Sequence, residues 1–79
     1  MEISFISPFK KISKSVVWVE VDTTVGNFVI ESEHAPTILT LQKNSTVLFC
    51  LNNGKQERVR VVSGLVHVNR NSVVILGDI

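Results

Sequence analysis

Apolar and polar residues alternate along nearly the whole of this 79-residue chain, the period of extended strands that bury one face. Ile3 and Phe5 open the pattern, and Ser7-Pro8 closes it, because proline removes a ladder donor. Lys10-Lys11-Ile12-Ser13-Lys14 reads as a short polar bridge. Val17, Val19 and Val21 then alternate with Trp18, Glu20 and Asp22, which predicts three valines on a buried face and Trp18 on the opposite one. Thr23 to Gly26 supplies turn residues, and an extended pattern resumes from Asn27 to Glu31. His34-Ala35-Pro36 interrupts any ladder and predicts a loop or a sheet edge.

Ile38 to Leu41 forms a short apolar run, followed by a Lys43-Asn44-Ser45 turn and a strand from Thr46 to Leu51 with Val47, Phe49 and Leu51 on one side. Asn53-Gly54 predicts a two-residue type I′ hairpin, which requires positive φ at both positions. Arg58 and Arg60 alternate with Val59 and Val61 on the returning strand. Gly64 and Asn69-Arg70-Asn71 set off two last strands, around Leu65 to Val68 and Ser72 to Leu76. Eight to ten short strands without helical periodicity predict an all-β fold, an antiparallel β-sandwich or small barrel. In the sandwich, two sheets pack face to face and bury Val17, Val19, Val21, Val47, Phe49, Val59, Val61, Val73 and Ile75.

Composition agrees: 14 Val, 7 Ile and 5 Thr stand against a single Ala, a balance that favours strands. The length suits one small domain, residues 1–79, with little stability to spare. Cys50 alone can close no intramolecular disulfide and build no structural zinc site, so the apolar core must hold the fold, and between Phe49 and Leu51 it reads as an inert packing residue. The net charge of +1 offers no general attraction for nucleic acid. Its signs are segregated, however: residues 15–36 carry Glu20, Asp22, Glu31 and Glu33, whereas Lys43, Lys55, Arg58, Arg60 and Arg70 outnumber the acids of residues 37–79. No apolar run approaches the ~18 residues of a membrane span or forms a secretory core, and Asn44-Ser45-Thr46 reads as a polar turn.

Candidate chemistry is sparse. His34 and His67 have no thiol or second imidazole at metal-ligand spacing, no nucleophile comes with a base, and neither GxxxxGK[ST] nor GxGxxG occurs. No catalytic residue, metal or cofactor is predicted. A binding module remains, and one form of it is a freestanding sandwich adaptor that takes a peptide strand at an open sheet edge.

Three stretches give that module a relative. Ile3-Ser4-Phe5-Ile6-Ser7-Pro8, then Gly26-Asn27-Phe28-Val29-Ile30-Glu31-Ser32-Glu33-His34-Ala35-Pro36, then Ser63-Gly64 through Val73-Val74-Ile75-Leu76-Gly77-Asp78 fall in order and spacing. Together they resemble the N-terminal β-sandwich domain of the epsilon subunit of F-type ATP synthase. Asn27 stands where that family often has an acid, Val29 replaces a loop glycine, and one glycine of a doubled pair is kept at Gly64. The resemblance implies a non-catalytic rotor subunit of the central stalk, linking the gamma subunit to the c-ring and supporting the coupling of proton translocation to ATP synthesis. It implies a c-ring contact at Thr24, Val25, Gly26 and Asn27, and a gamma contact along His34, Ala35, Pro36, Thr37, Ile38 and Leu39. It also implies peripheral attachment to the cytoplasmic face of an energy-coupling membrane, the bacterial inner membrane in particular. The sequence stops at Ile79, where members of the family continue into a helical hairpin, so a short form without that hairpin is expected.

Overall fold

The computed structural model describes residues 1–79 and contains eight strands and no helix. They are β1 (Glu2–Ile6), β2 (Lys11–Thr23), β3 (Gly26–Glu31), β4 (Thr37–Thr40), β5 (Ser45–Leu51), β6 (Gln56–Val61), β7 (Ser63–Val68) and β8 (Ser72–Asp78). Two sheets form a sandwich, as the alternation predicts. The first runs β4-β7-β8-β1-β2 and the second runs β3-β2-β5-β6, so β2 belongs to both. Its first residues pair with β1, up to Ser15, and its last ones, from Trp18 to Thr23, pair with β3. All neighbours are antiparallel except β1 and β8, which run parallel from Glu2↔Ser72 to Ile6↔Leu76.

Between the sheets lies a cluster of 14 buried apolar residues, among them Ile3, Phe5, Val19, Val21, Ile30, Val47, Phe49, Val61, Val66, Val73 and Ile75. Phe5 and Phe49 meet across the interior with ring centroids 5.7 Å apart, tilted by 50°, a favoured aromatic geometry.

Four local readings of the sequence are corrected. The Lys11–Lys14 bridge is the start of β2, because a tight Ser7–Lys10 turn, closed by the Ser7 amide donating to the Lys10 carbonyl at 2.9 Å, returns the chain beside β1. Val17 is half exposed rather than buried. On β5, Leu51 and Cys50 are consecutive, yet their partners on β2 are Val16 and Trp18. That extra residue is a β-bulge, which reverses the side-chain phase and turns the strand toward the other sheet. Val16 takes the inward position instead. Val16→Ala should therefore cost about 2 kcal/mol in urea unfolding, whereas Val17→Ala should stay within about 0.5 kcal/mol; equal losses would contradict the bulge.

Val59 is only partly buried, since β6 ends its sheet and leaves that flank open. Asn53-Gly54 is not a two-residue turn either. The Leu51 amide donates to the Lys55 carbonyl at 2.8 Å and the Gly54 amide donates to the Leu51 carbonyl at 2.9 Å, enclosing three loop residues. Gly54 alone has positive φ, at 89°, the arrangement of a turn followed by a glycine bulge.

Candidate functional site

The β2–β3 tip is a two-residue turn. Thr24 and Val25 lie between the paired Thr23 and Gly26, and Gly26 adopts a φ of 130° that other residues avoid. The buried Thr23 hydroxyl donates to the Gly26 carbonyl at 2.7 Å and accepts from the Val25 amide at 3.2 Å, which fixes the turn from inside. Val25 is left 73% exposed at the apex. The Asn27 side-chain amide donates to Asp22 at 2.7 Å, so the acid absent from position 27 is present one strand across.

This tip is also tied to the edge strand. Thr24 donates its amide to the Thr40 carbonyl at 3.0 Å, Gln42 donates to the Asp22 carbonyl at 2.9 Å, and Thr23 bridges Leu41. From Thr40 the edge runs back along β4 to His34-Ala35-Pro36, where Glu33 donates its amide to Arg70 at 2.7 Å. His34 is half buried, with Nδ1 donating to the Ala35 carbonyl at 2.8 Å. Ala35 and Pro36 are exposed, Ile38 is 65% exposed, and Leu39 packs inward against the core. Thus the two stretches singled out in the sequence meet at Thr40 and form one continuous border.

Strand register extends that border into a surface. Ile38 stands beside His67 and then Val74, while Leu65, Leu76 and Ile6 form the next row, level with Thr40. Leu65 and Leu76 are both more than two-fifths exposed. The outer face of the first sheet is therefore largely apolar over β4, β7 and β8, broken by His67 and Thr40. Sequence reasoning missed Leu65, Val74 and Leu76. The available signal was that β8 is apolar at consecutive positions, Val73 to Leu76, and so has two apolar faces. The row continues from Ile6 to Lys11, so the Ser7–Lys10 turn, with Phe9 fully exposed, lies at the same end of that sheet as Thr40.

On the open flank, a cleft of about 200 Å³ is walled by Phe5, Ile12, Phe49 and Val59. Lys14 and Glu57 close its mouth with an ion pair at 2.8 Å, joining the edges of the two sheets. The hydrogen bond from Lys14 is the main cause holding the Glu57 carboxyl below its ordinary range. The cleft brings together no nucleophile and base, and Cys50 lies outside it, its thiol directed at the Leu51 carbonyl at 3.5 Å. Nowhere do three or more metal-ligating side chains converge.

Together these elements make a β-sandwich in which a hydrogen-bonded tip, an edge strand and a largely apolar sheet face are held on one frame. The chain belongs to the family described as ATP synthase, Delta/Epsilon chain, beta-sandwich domain, which matches residues 1–79. That family is a stalk subunit of the synthase and not a catalytic one.

Two solved structures share the fold. One is a chain of the Euglena gracilis mitochondrial ATP synthase, determined as OSCP/F1/c-ring in rotational state 1, with a TM-score of 0.85 and 20% identity over 95% of this chain and 48% of that one. The other is a chain of the Tetrahymena thermophila mitochondrial ATP synthase central stalk/c-ring, with a TM-score of 0.78 and 16% identity over 100% of this chain and 63% of that one. This chain thus spans about half to three-fifths of the chains it matches.

Proposed function

We propose that this chain is a rotor domain of an ATP synthase central stalk, linking the gamma subunit to the c-ring and supporting the coupling of proton translocation to ATP synthesis. The observation that carries the reading is the set of bonds from the tip to the edge strand at Thr40 and Asp22. A domain clamped between two rotating partners must pass torque without local opening, and backbone ladders on both sides of β2 resist such opening. In this reading Thr24 to Asn27 meet the c-ring, and the gamma subunit covers His34 to Leu39 together with Leu65, Val74 and Leu76. Attachment to the membrane is then peripheral and runs through the complex.

Cysteine crosslinking in the assembled complex tests it. Val25→Cys should crosslink to a c subunit and Ile38→Cys to gamma, in variants that retain the wild-type circular dichroism. Crosslinks from neither position would overturn the assignment. The side of β4 away from β7, which no strand covers ahead of Thr40, favours one other reading, a peptide-binding adaptor, in which Ile38→Cys would capture an extended peptide and not gamma.

A further inference from the structure

Away from the β2–β3 tip, the outer face of the second sheet takes no part in the stalk reading, and its charges are arranged about a centre line. Across one row, Glu20 on β2 pairs with Leu48 on β5, and Leu48 pairs with Arg58 on β6. One row along, Thr46 pairs with Arg60, with Asp22 two residues beyond Glu20 on the other flank. In the opposite direction the row is Trp18, Cys50 and Gln56. Acids therefore flank β5 on one side and guanidinium groups on the other, at equal strand spacing. Two strand steps, roughly 10 Å, separate them, and no ion pair joins them within one molecule. The ion pairs that do form, Lys14–Glu57 and Arg70–Glu33, use none of these four residues.

We infer that this chain self-associates through that face, as a two-fold pair whose axis runs along β5. A two-fold axis lying between the faces and parallel to β5 sets β2 of each copy over β6 of the other. Glu20 then meets Arg58 and Asp22 meets Arg60, twice each, while Leu48 meets its own counterpart on the axis. Such an interface is isologous, since one patch supplies both halves of every contact. Sheets stacked in this way keep their strands within about 30° of alignment. The half-buried Trp18 and Leu48 supply the apolar part of the contact.

The patch is small. Three strands of about five residues cover roughly 15 by 17 Å, well under the ~800 Å² per partner of a stable complex. The pair is accordingly weak, reversible and sensitive to salt. The Glu20–Arg58 contact does not depend on the stalk assignment, whereas Asp22 borders the tip that the assignment uses.

Sedimentation velocity of the full chain, from micromolar to near-millimolar concentration, tests it. At low ionic strength the average mass should rise toward that of a dimer with concentration, and about 0.5 M salt should return it to monomer. Glu20→Lys alone and Arg58→Glu alone each place like charges in contact at two points, and each should weaken association at least tenfold. An equimolar mixture of the two variants should recover it, because both contacts then join opposite charges in a heterodimer. Circular dichroism verifies that each variant is folded. A wild-type chain that stays monomeric throughout would overturn the inference, as would a dimer that both single variants retain or a mixture no better than its components.

Discussion

Phe49→Ala is expected to bring the domain close to unfolding at room temperature. The ring is 1% exposed and sits in the second sheet directly against Phe5 of the first, so its removal opens the centre of the interior. The cleft walled by the same two rings adjoins the space left behind. Loss of a buried phenylalanine costs about 3–5 kcal/mol. A folded chain of this length holds on the order of 4–12 kcal/mol, and at the low end, where so small a domain belongs, the variant keeps little or none of it. Urea titration followed by circular dichroism reads the change as a lowered midpoint with an unchanged slope. A midpoint near that of the parent would mean that the ring is not between the sheets. Phe5→Ala should behave alike, and the double variant should lose about 0.5–1.5 kcal/mol less than the sum, the coupling of a tilted aromatic pair.

Gly77→Ala should be nearly as damaging, for an opposite reason. Gly77 on β8 faces Gly64 on β7, and the two backbones approach so closely that neither position has room for a methyl group. A Cβ on Gly77 would meet the Ser63 carbonyl and lie 2.7 Å from the Gly64 Cα; one on Gly64 would lie 2.5 Å from the Leu76 carbonyl. Every obstructing atom belongs to the backbone of a paired strand, so the ladder must part. The bond from the Val62 amide to the Asp78 carbonyl would go with it. Overpacking of this kind costs about 3 kcal/mol, and thermal unfolding should show a fall of more than about 10 °C for a domain this small. A shift of a few degrees would mean that the strands stand further apart. Gly54→Ala makes the contrast: nothing lies within 4 Å of its added methyl, and only the φ of 89° is at stake, about 1 kcal/mol.

The same residues explain what could be read before folding. Period two is a local property, so most of the strands and half of the core residues followed from the alternation alone. Val17 failed because a bulge is decided by the partner strand: only opposite Leu51 and Cys50 does the extra residue at 17 become visible. Asn53-Gly54 correctly marked a turn with Gly54 at positive φ, but the loop length depends on where Leu51 meets Lys55. The parallel pairing of β1 with β8 joins segments about seventy residues apart and leaves no local trace.

Surfaces divide along the same line. The Thr23–Gly26 turn and the His34-Pro36 break were legible from turn chemistry and proline. That both lead to Thr40 was not, since their junction is a set of backbone bonds between distant strands. Leu65 and Leu76 were hidden because an apolar residue on a strand reads as core until a neighbouring sheet is seen to cover only the other face.

The parallel register of β1 on β8 also sets an order of events during synthesis. β1 is the first of these eight strands to be made, yet it has β2 on one side and must wait for β8, the last of the eight, on the other. Until residues 72–78 leave the ribosome, Ile3 and Phe5 have no β8 to lie beside, and one flank of their backbone stays open to water or to another strand. Contacts of such long sequence separation slow folding and prolong exposure to misassembly. Early steps then fall to the hairpins with short turns, β2–β3 and β5–β6. Sandwich closure becomes a late, cooperative event, completed when the eighth strand of the domain is laid against its first.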